Sequence, residues 1–150
     1  MIRLLVQCYQ MEGLLWEEMG NRLFSKCMDG VKDRLNKQFI TAYYKSEGFH
    51  DWCARELKFL FCSGYPEISM TLQNNEDPKE NITIVFEKCR NVSFTNLSND
   101  YHLDSALLIM GFERHGLDFA AGLGYTDNST LFFDFSTVSV KTANEQTRLS

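Results

Sequence analysis

From Leu57 onward, apolar residues fall on every second position. The runs Leu57-Phe59-Phe61, Ile68-Met70-Leu72, Ile82-Ile84-Phe86, Val92-Phe94, Leu117-Phe119-Ala121-Leu123 and Leu131-Phe133-Phe135 share that period, which belongs to strands with one face buried and one face wet. The alternation assigns most of the twelve phenylalanines to architecture. It leaves few residue clusters free to form an active site. The second half of the chain therefore predicts an antiparallel sheet of about six or seven strands.

Residues 14–46 carry a different period. Leu15, Met19, Leu23, Cys27, Val31, Leu35 and Phe39 recur every fourth residue, and a spacing of four drifts by about 40° per step around a helix. One straight helix cannot keep this set on one stripe. Asp29-Gly30 is the natural break, which predicts one helix near 14–28 and another near 31–46, with Gly48 as its C-terminal cap. The fold expected is α+β, with N-terminal helices packed on the antiparallel sheet. It is read as a single domain over residues 1–140 (helical 14–46, sheet 55–140), followed by a flexible polar tail at 141–150. A chain of 150 residues can bury such a core without staples.

Between the strands, Ser63-Gly64-Tyr65-Pro66 predicts a hairpin turn, and Gln73 to Asn81 an exposed loop carrying Glu76, Asp77 and Glu80. Ala106 to Phe112 is apolar on both phases, so it is either a strand covered on both faces or a helical turn running into a strand. In the last hairpin, an in-phase pairing demands a three- or five-residue loop around Asp127-Asn128-Ser129. With Asp134 opposite Gly122, Asp118 and Asp134 stand about 13 Å apart, too far for a carboxylate dyad. The later switch of phase to Val138 and Val140 predicts a bulge at Ser136-Thr137.

A net charge of -5 and a pI near 5.2 argue against a protein that works by neutralising phosphates and favour a basic partner. Cys8, Cys27, Cys53, Cys62 and Cys89 are dispersed with no CxxC, the pattern of free thiols in a reducing compartment, with no zinc site and no cofactor implied. The N-terminus has neither the apolar run nor the cleavage site of a signal peptide or membrane span, so a cytoplasmic location is expected, with Met11 as an alternative start. The sequons at Asn81, Asn91, Asn96 and Asn128 are then read as strand and turn composition.

Phe49-His50-Asp51-Trp52 is the most pointed local motif. Metal-dependent phosphohydrolases that use a His-Asp pair need further histidines, and here only His102 and His115 remain, both in the strand region. The reading preferred is a structural junction: Asp51 accepts backbone donors, His50 is hydrogen-bonded, and Phe49 and Trp52 are apolar anchors. A small hydrolase using His50 and Asp51 is the alternative. A nucleophile elbow and a Gly-rich phosphate loop are missing from the sequence, and Cys53, although near His50, is read as a buried, inert thiol beside Trp52. For partner binding, the strand phases place Phe132 on the outer face of the last hairpin with Asp118 and Asp134, as an exposed aromatic ringed by acids. The competing reading is that helices cover this face and Phe132 is core. Glu76, Asp77 and Glu80 form the other acidic surface.

The helical segment, Phe49-His50-Asp51-Trp52, and then Ile82-Thr83-Ile84-Val85-Phe86-Glu87-Lys88-Cys89-Arg90-Asn91-Val92 together resemble small bacterial domains with a Phe/Leu-His-Asp signature. The immunity protein 50 family, linked to polymorphic toxin systems, is similar in this respect over roughly residues 36–140. Trp52 and the long helical segment depart from its smallest members. The resemblance implies structural roles for His50 and Asp51. With the acidic charge, the function expected is a non-catalytic protein-binding module, an immunity protein that neutralises a basic protein toxin by direct binding. The bland alternative is a structural protein whose acidity serves solubility.

Overall fold

The computed structural model describes residues 28, 30–61, 64–95, 106–126 and 129–142. The alternating runs form strands except at Phe61 and Leu117, which fall outside them and are exposed; the strands, with two more at 107–115 and 137–142, are β1 (Cys53–Leu60), β2 (Glu67–Gln73), β3 (Asn81–Glu87), β4 (Arg90–Thr95), β5 (Leu107–His115), β6 (Asp118–Tyr125), β7 (Thr130–Phe135) and β8 (Thr137–Thr142). They divide between two four-stranded antiparallel sheets, ordered β1-β2-β3-β8 and β4-β7-β6-β5. This overturns the expected single sheet backed by helices, because alternation shows which face of a strand is buried and not which sheet the strand joins.

A two-stranded ribbon links the sheets. β3 runs on into β4 through Lys88 and Cys89, and β7 into β8 through Ser136. Their pairing holds across the corner, with Phe86 opposite Val138 in one sheet and Arg90 opposite Asp134 in the other. Positive φ at Lys88 (55°) and Asn91 (54°) turns the chain there, and the Ser136 N–H donates to the Glu87 carbonyl at 3.0 Å. Strands that switch sheets at a bend are how sandwich corners are made. The phase change at Ser136-Thr137 is therefore a change of sheet, not the expected bulge. An isolated bridge between Cys53 and Ala106 ties β1 to the start of β5 at a second place.

Only one helix stands among the described residues, α1 (Lys37–Lys45). The Asn36 side chain caps it, accepting from the N–H groups of Gln38 (2.8 Å) and Phe39 (3.2 Å), which satisfies donors that a helix start leaves open. Gly48, at φ 72°, closes the other end by donating to the Tyr43 carbonyl at 2.7 Å, as expected from the sequence. The helix is shorter than the predicted 31–46. Val31 to Leu35 form turns instead, although Met28, Val31 and Leu35 are buried. The helix predicted near 14–28 lies outside the described residues apart from Met28, as do the 96–105 connection and residues 143–150; β8 itself extends to Thr142.

Phe39 and Tyr43, one turn apart, explain where α1 sits. The Phe39 ring lies 5.3 Å from Phe112 of β5 and 6.4 Å from Phe86 of β3, so the helix fills the space between the two sheets rather than covering one. Phe86 in turn meets Phe133 and Phe135 of the opposite sheet at 4.9 and 5.0 Å in edge-to-face geometry, the arrangement that ring quadrupoles favour. The Tyr43 hydroxyl donates to the Met110 carbonyl at 2.5 Å, which removes the cost of burying the phenol. One hydrophobic cluster thus unites α1 and both sheets. Among the described residues, no helix is long and apolar enough to cross a membrane.

Candidate functional site

The Phe49-His50-Asp51-Trp52 junction is built by backbone conformation. Glu47, Gly48, Phe49 and Asp51 all take positive φ, so the chain reverses tightly after α1 and drops Phe49 and Trp52 into the core, with ring centroids 5.3 Å apart. The Asp51 N–H donates to the Leu107 carbonyl and the Leu107 N–H to the Trp52 carbonyl, both at 2.9 Å. Asn75 reaches across to donate to the Asp51 carbonyl at 2.6 Å and to accept from the Cys53 thiol at 2.8 Å. The expected capping role of the Asp51 carboxylate is corrected here. Its main chain makes the joints, while the carboxylate is 67% exposed and meets His50 Nδ1 at 3.1 Å.

Burial lowers the His50 pKa below its ordinary value, against the opposing pull of Asp51 and Glu47. The ring is therefore neutral at pH 7. Its Nε2 is buried and its Nδ1 faces Asp51, so neither nitrogen is presented to a substrate as a general base must be. Burial also pushes the Cys89 thiol up to about 11, which keeps it protonated and unreactive at neutral pH. Cys53 and Cys89 are free thiols. Among the described residues, no three His, Cys, Asp or Glu side chains gather into a metal-ligating group.

On the outer face of the second sheet, the register differs from the expected one by two residues. Phe119 faces Phe135 and Ala120 faces Asp134, which makes Asp118 and Asp134 diagonal neighbours, about 7–8 Å apart, rather than distant. Distance alone does not exclude a dyad, but the partners of each carboxylate do define its role. Asp118 is held by Arg90 in an ion pair and by the Ser136 hydroxyl at 2.9 Å. Asp134 accepts from the Asn91 amide at 2.8 Å and meets His115 Nδ1 at 3.1 Å. Ser136 donates straight to a carboxylate while the imidazole sits on the other aspartate, so the serine lacks the base-bridged relay of a hydrolase. These are cross-strand ties at the corner.

Phe132 is not the exposed aromatic that the strand phases suggested. It is 6% exposed, in a row where Gly111 faces Gly122 and Gly122 faces Phe132, so two residues without side chains leave room beside the ring. The proposed rim of acids around an open aromatic is therefore corrected: the aromatic is buried and both acids are internally paired. Arg90, Asn91, His115 and Ser136 were missed by sequence reasoning. One signal was available, because His115-Gly116-Leu117-Asp118 is a two-residue hairpin, with Gly116 at the positive φ (67°) that a II′ turn needs.

Among the described residues, two surfaces of the first sheet are open. Its outer face is a shallow groove of about 610 Å³. Small hydroxylated residues floor it in two cross-strand rows, Glu56-Thr71-Thr83-Lys141 and Lys58-Ser69-Val85-Ser139, with long charged side chains as walls. The β2–β3 loop is the other. Asn74 Oδ1 accepts from the Glu76 N–H at 3.0 Å, Asp77 Oδ1 from the Lys79 N–H at 3.2 Å, and Asn74 Nδ2 donates to Glu80 at 3.1 Å. The Gln73 side chain adds a bond to the Pro78 carbonyl at 2.7 Å. The loop is thus fixed in one shape with Glu76, Asp77 and Glu80 exposed. Compared with family models, curated proteins and solved structures, the chain gives no match.

Proposed function

We propose that this chain is a non-catalytic binding module that captures a basic protein partner through the acidic β2–β3 loop, in the manner of an immunity protein binding a toxin. The observation that carries this reading is the loop's internal bonding, which presents Glu76 and Asp77 outward in a fixed arrangement. A preformed loop loses little conformational entropy on docking. The net charge of -5 adds long-range attraction for a basic surface, which speeds encounter at low salt. The aspartates of the last hairpin are engaged with Arg90, Asn91, His115 and Ser136, so the loop is the better acidic contact.

The test is affinity capture from the source lysate by wild type and by a Glu76→Lys, Asp77→Lys double variant, followed by association kinetics on the captured protein. The reading expects a basic protein held by wild type, with association slowed by salt and by the double substitution. Capture of nothing basic, or of a partner that binds the folded double variant at an unchanged rate, contradicts it.

A further inference from the structure

The edge of β1 supports an inference independent of the acidic loop. β1 is the outer strand of its sheet, and past the Cys53–Ala106 bridge its far edge pairs with no described strand. Beyond the bulge between Ala54 and Glu56, its pairing with β2 is regular to Leu60. Phe59 and Leu60 are 36% and 41% exposed, and Phe61 just past the strand is 75% exposed. An open apolar strand edge is a template for another strand. We propose that β1 pairs antiparallel with β1 of a second copy about a two-fold axis through Leu57, joining two four-stranded sheets into one continuous sheet.

The register follows from charge. Residues opposed in a ladder share a face, so odd positions pair with odd and even with even. Centring the axis on Glu56 sets that glutamate against its own copy, and centring it on Lys58 sets lysine against lysine; like charges directly opposed repel. An axis through Phe59 opposes Lys58 to Leu60 and gives the charges no partner. Only the axis through Leu57 sets Glu56 against Lys58 of the copy, once on each side. Within one protomer Lys58 Nζ already lies 2.8 Å from Glu56 Oε1, so this edge lacks the unbalanced lysine by which edge strands resist pairing. The two-fold closes the assembly as a dimer, and the bulge at each end keeps the ladder short.

Sedimentation equilibrium up to millimolar protein tests this, with thermal melts to show that each variant is folded. Wild type should associate as a dimer. Glu56→Lys and Lys58→Glu should each weaken self-association by about tenfold or more, since each homodimer then opposes like charges. An equimolar mixture of the two variants should recover the dimer, because each lysine then faces a glutamate. A wild type that stays monomeric, a dimer that neither reversal weakens, or a mixture no tighter than the single variants would each overturn the proposal.

Discussion

In β2, of the first sheet, burial alternates residue by residue, whereas in β6, of the second, Ala121 to Tyr125 are buried without a break. Both strands line the same core. The difference lies on their outer faces. The first sheet turns Ser69, Thr71 and Ser139 toward a groove that Glu56, Lys58 and Leu60 of the edge strand β1 also line. The second buries Ile109 and Phe132 on the face away from the shared cluster and locks its aspartates into cross-strand ties. Where apolar residues close that face it offers no contact, so the outer face of the first sheet is the more open of the two, although the edge strand β4 of the second sheet is itself exposed, with Val92 and Phe94 each at 39%.

The strongest way to break this contrast is truncation on each outer face. Phe132→Ala should lower stability by about 3–5 kcal/mol, as for an aromatic in a packed interior, while Thr71→Ala should cost no more than about 1 kcal/mol, the worth of its single hydroxyl contact with Thr83. Urea denaturation measures both, and a Phe132→Ala cost as small as that of Thr71→Ala would mean the second sheet is open after all. Enlargement sharpens the same point. Gly122→Val should cost about 1–3 kcal/mol through overpacking although valine favours strands, whereas Ser139→Val should stay within about 0.5 kcal/mol.

How far this contrast was legible in the sequence depends on the strand. β2 and β3 could be read directly, since Ile68, Met70, Leu72 and Ile82, Ile84, Phe86 face the core as the alternation implies. The division into two sheets could not be read, because Lys88 to Asn91 bend the chain through backbone angles that leave no apolar signature. The strand phases put Phe132 on the correct face and leave it either exposed or covered, since phase fixes direction and says nothing of what lies over a face; the covered alternative is the one found. Asp118 and Asp134 were misjudged because hairpin register depends on the loop, where Tyr125 donates to Ser129 at 3.0 Å, and a two-residue error in register halves their separation along the strand. The acidic loop was found as composition, but its fixed shape rests on side-chain bonds that composition does not reveal.

The junction where β1 meets β5 supplies two smaller tests of how the sheets are tied. If Asp51 acts through its backbone, Asp51→Gly keeps those bonds and relieves the left-handed conformation at φ 66°. It should leave stability unchanged or raise it by up to about 1 kcal/mol; a loss of 2 kcal/mol or so would restore the side-chain role. For His50, burial makes the folded state bind a proton more weakly than the unfolded chain, whose histidine titrates near 6.5. The His50 contribution is then present above that value and lost as pH falls from it toward the lower pKa of the folded state. The stability of wild type relative to His50→Gln should therefore decline as pH falls below about 6.5, and a difference that does not change with pH would contradict the burial.

The central claim is that two sheets and one helix share a single core, and nuclear Overhauser contacts test it most directly. The account predicts ring-to-ring contacts of Phe86 with Phe133 and Phe135, and of Phe39 with Phe112, at the short separations seen here. It also predicts Hα–Hα contacts within β3–β8 and β6–β7 and none between β3 and β6. Hα–Hα contacts running from β3 directly into β6 or β5, as in one continuous sheet backed by helices, would contradict it.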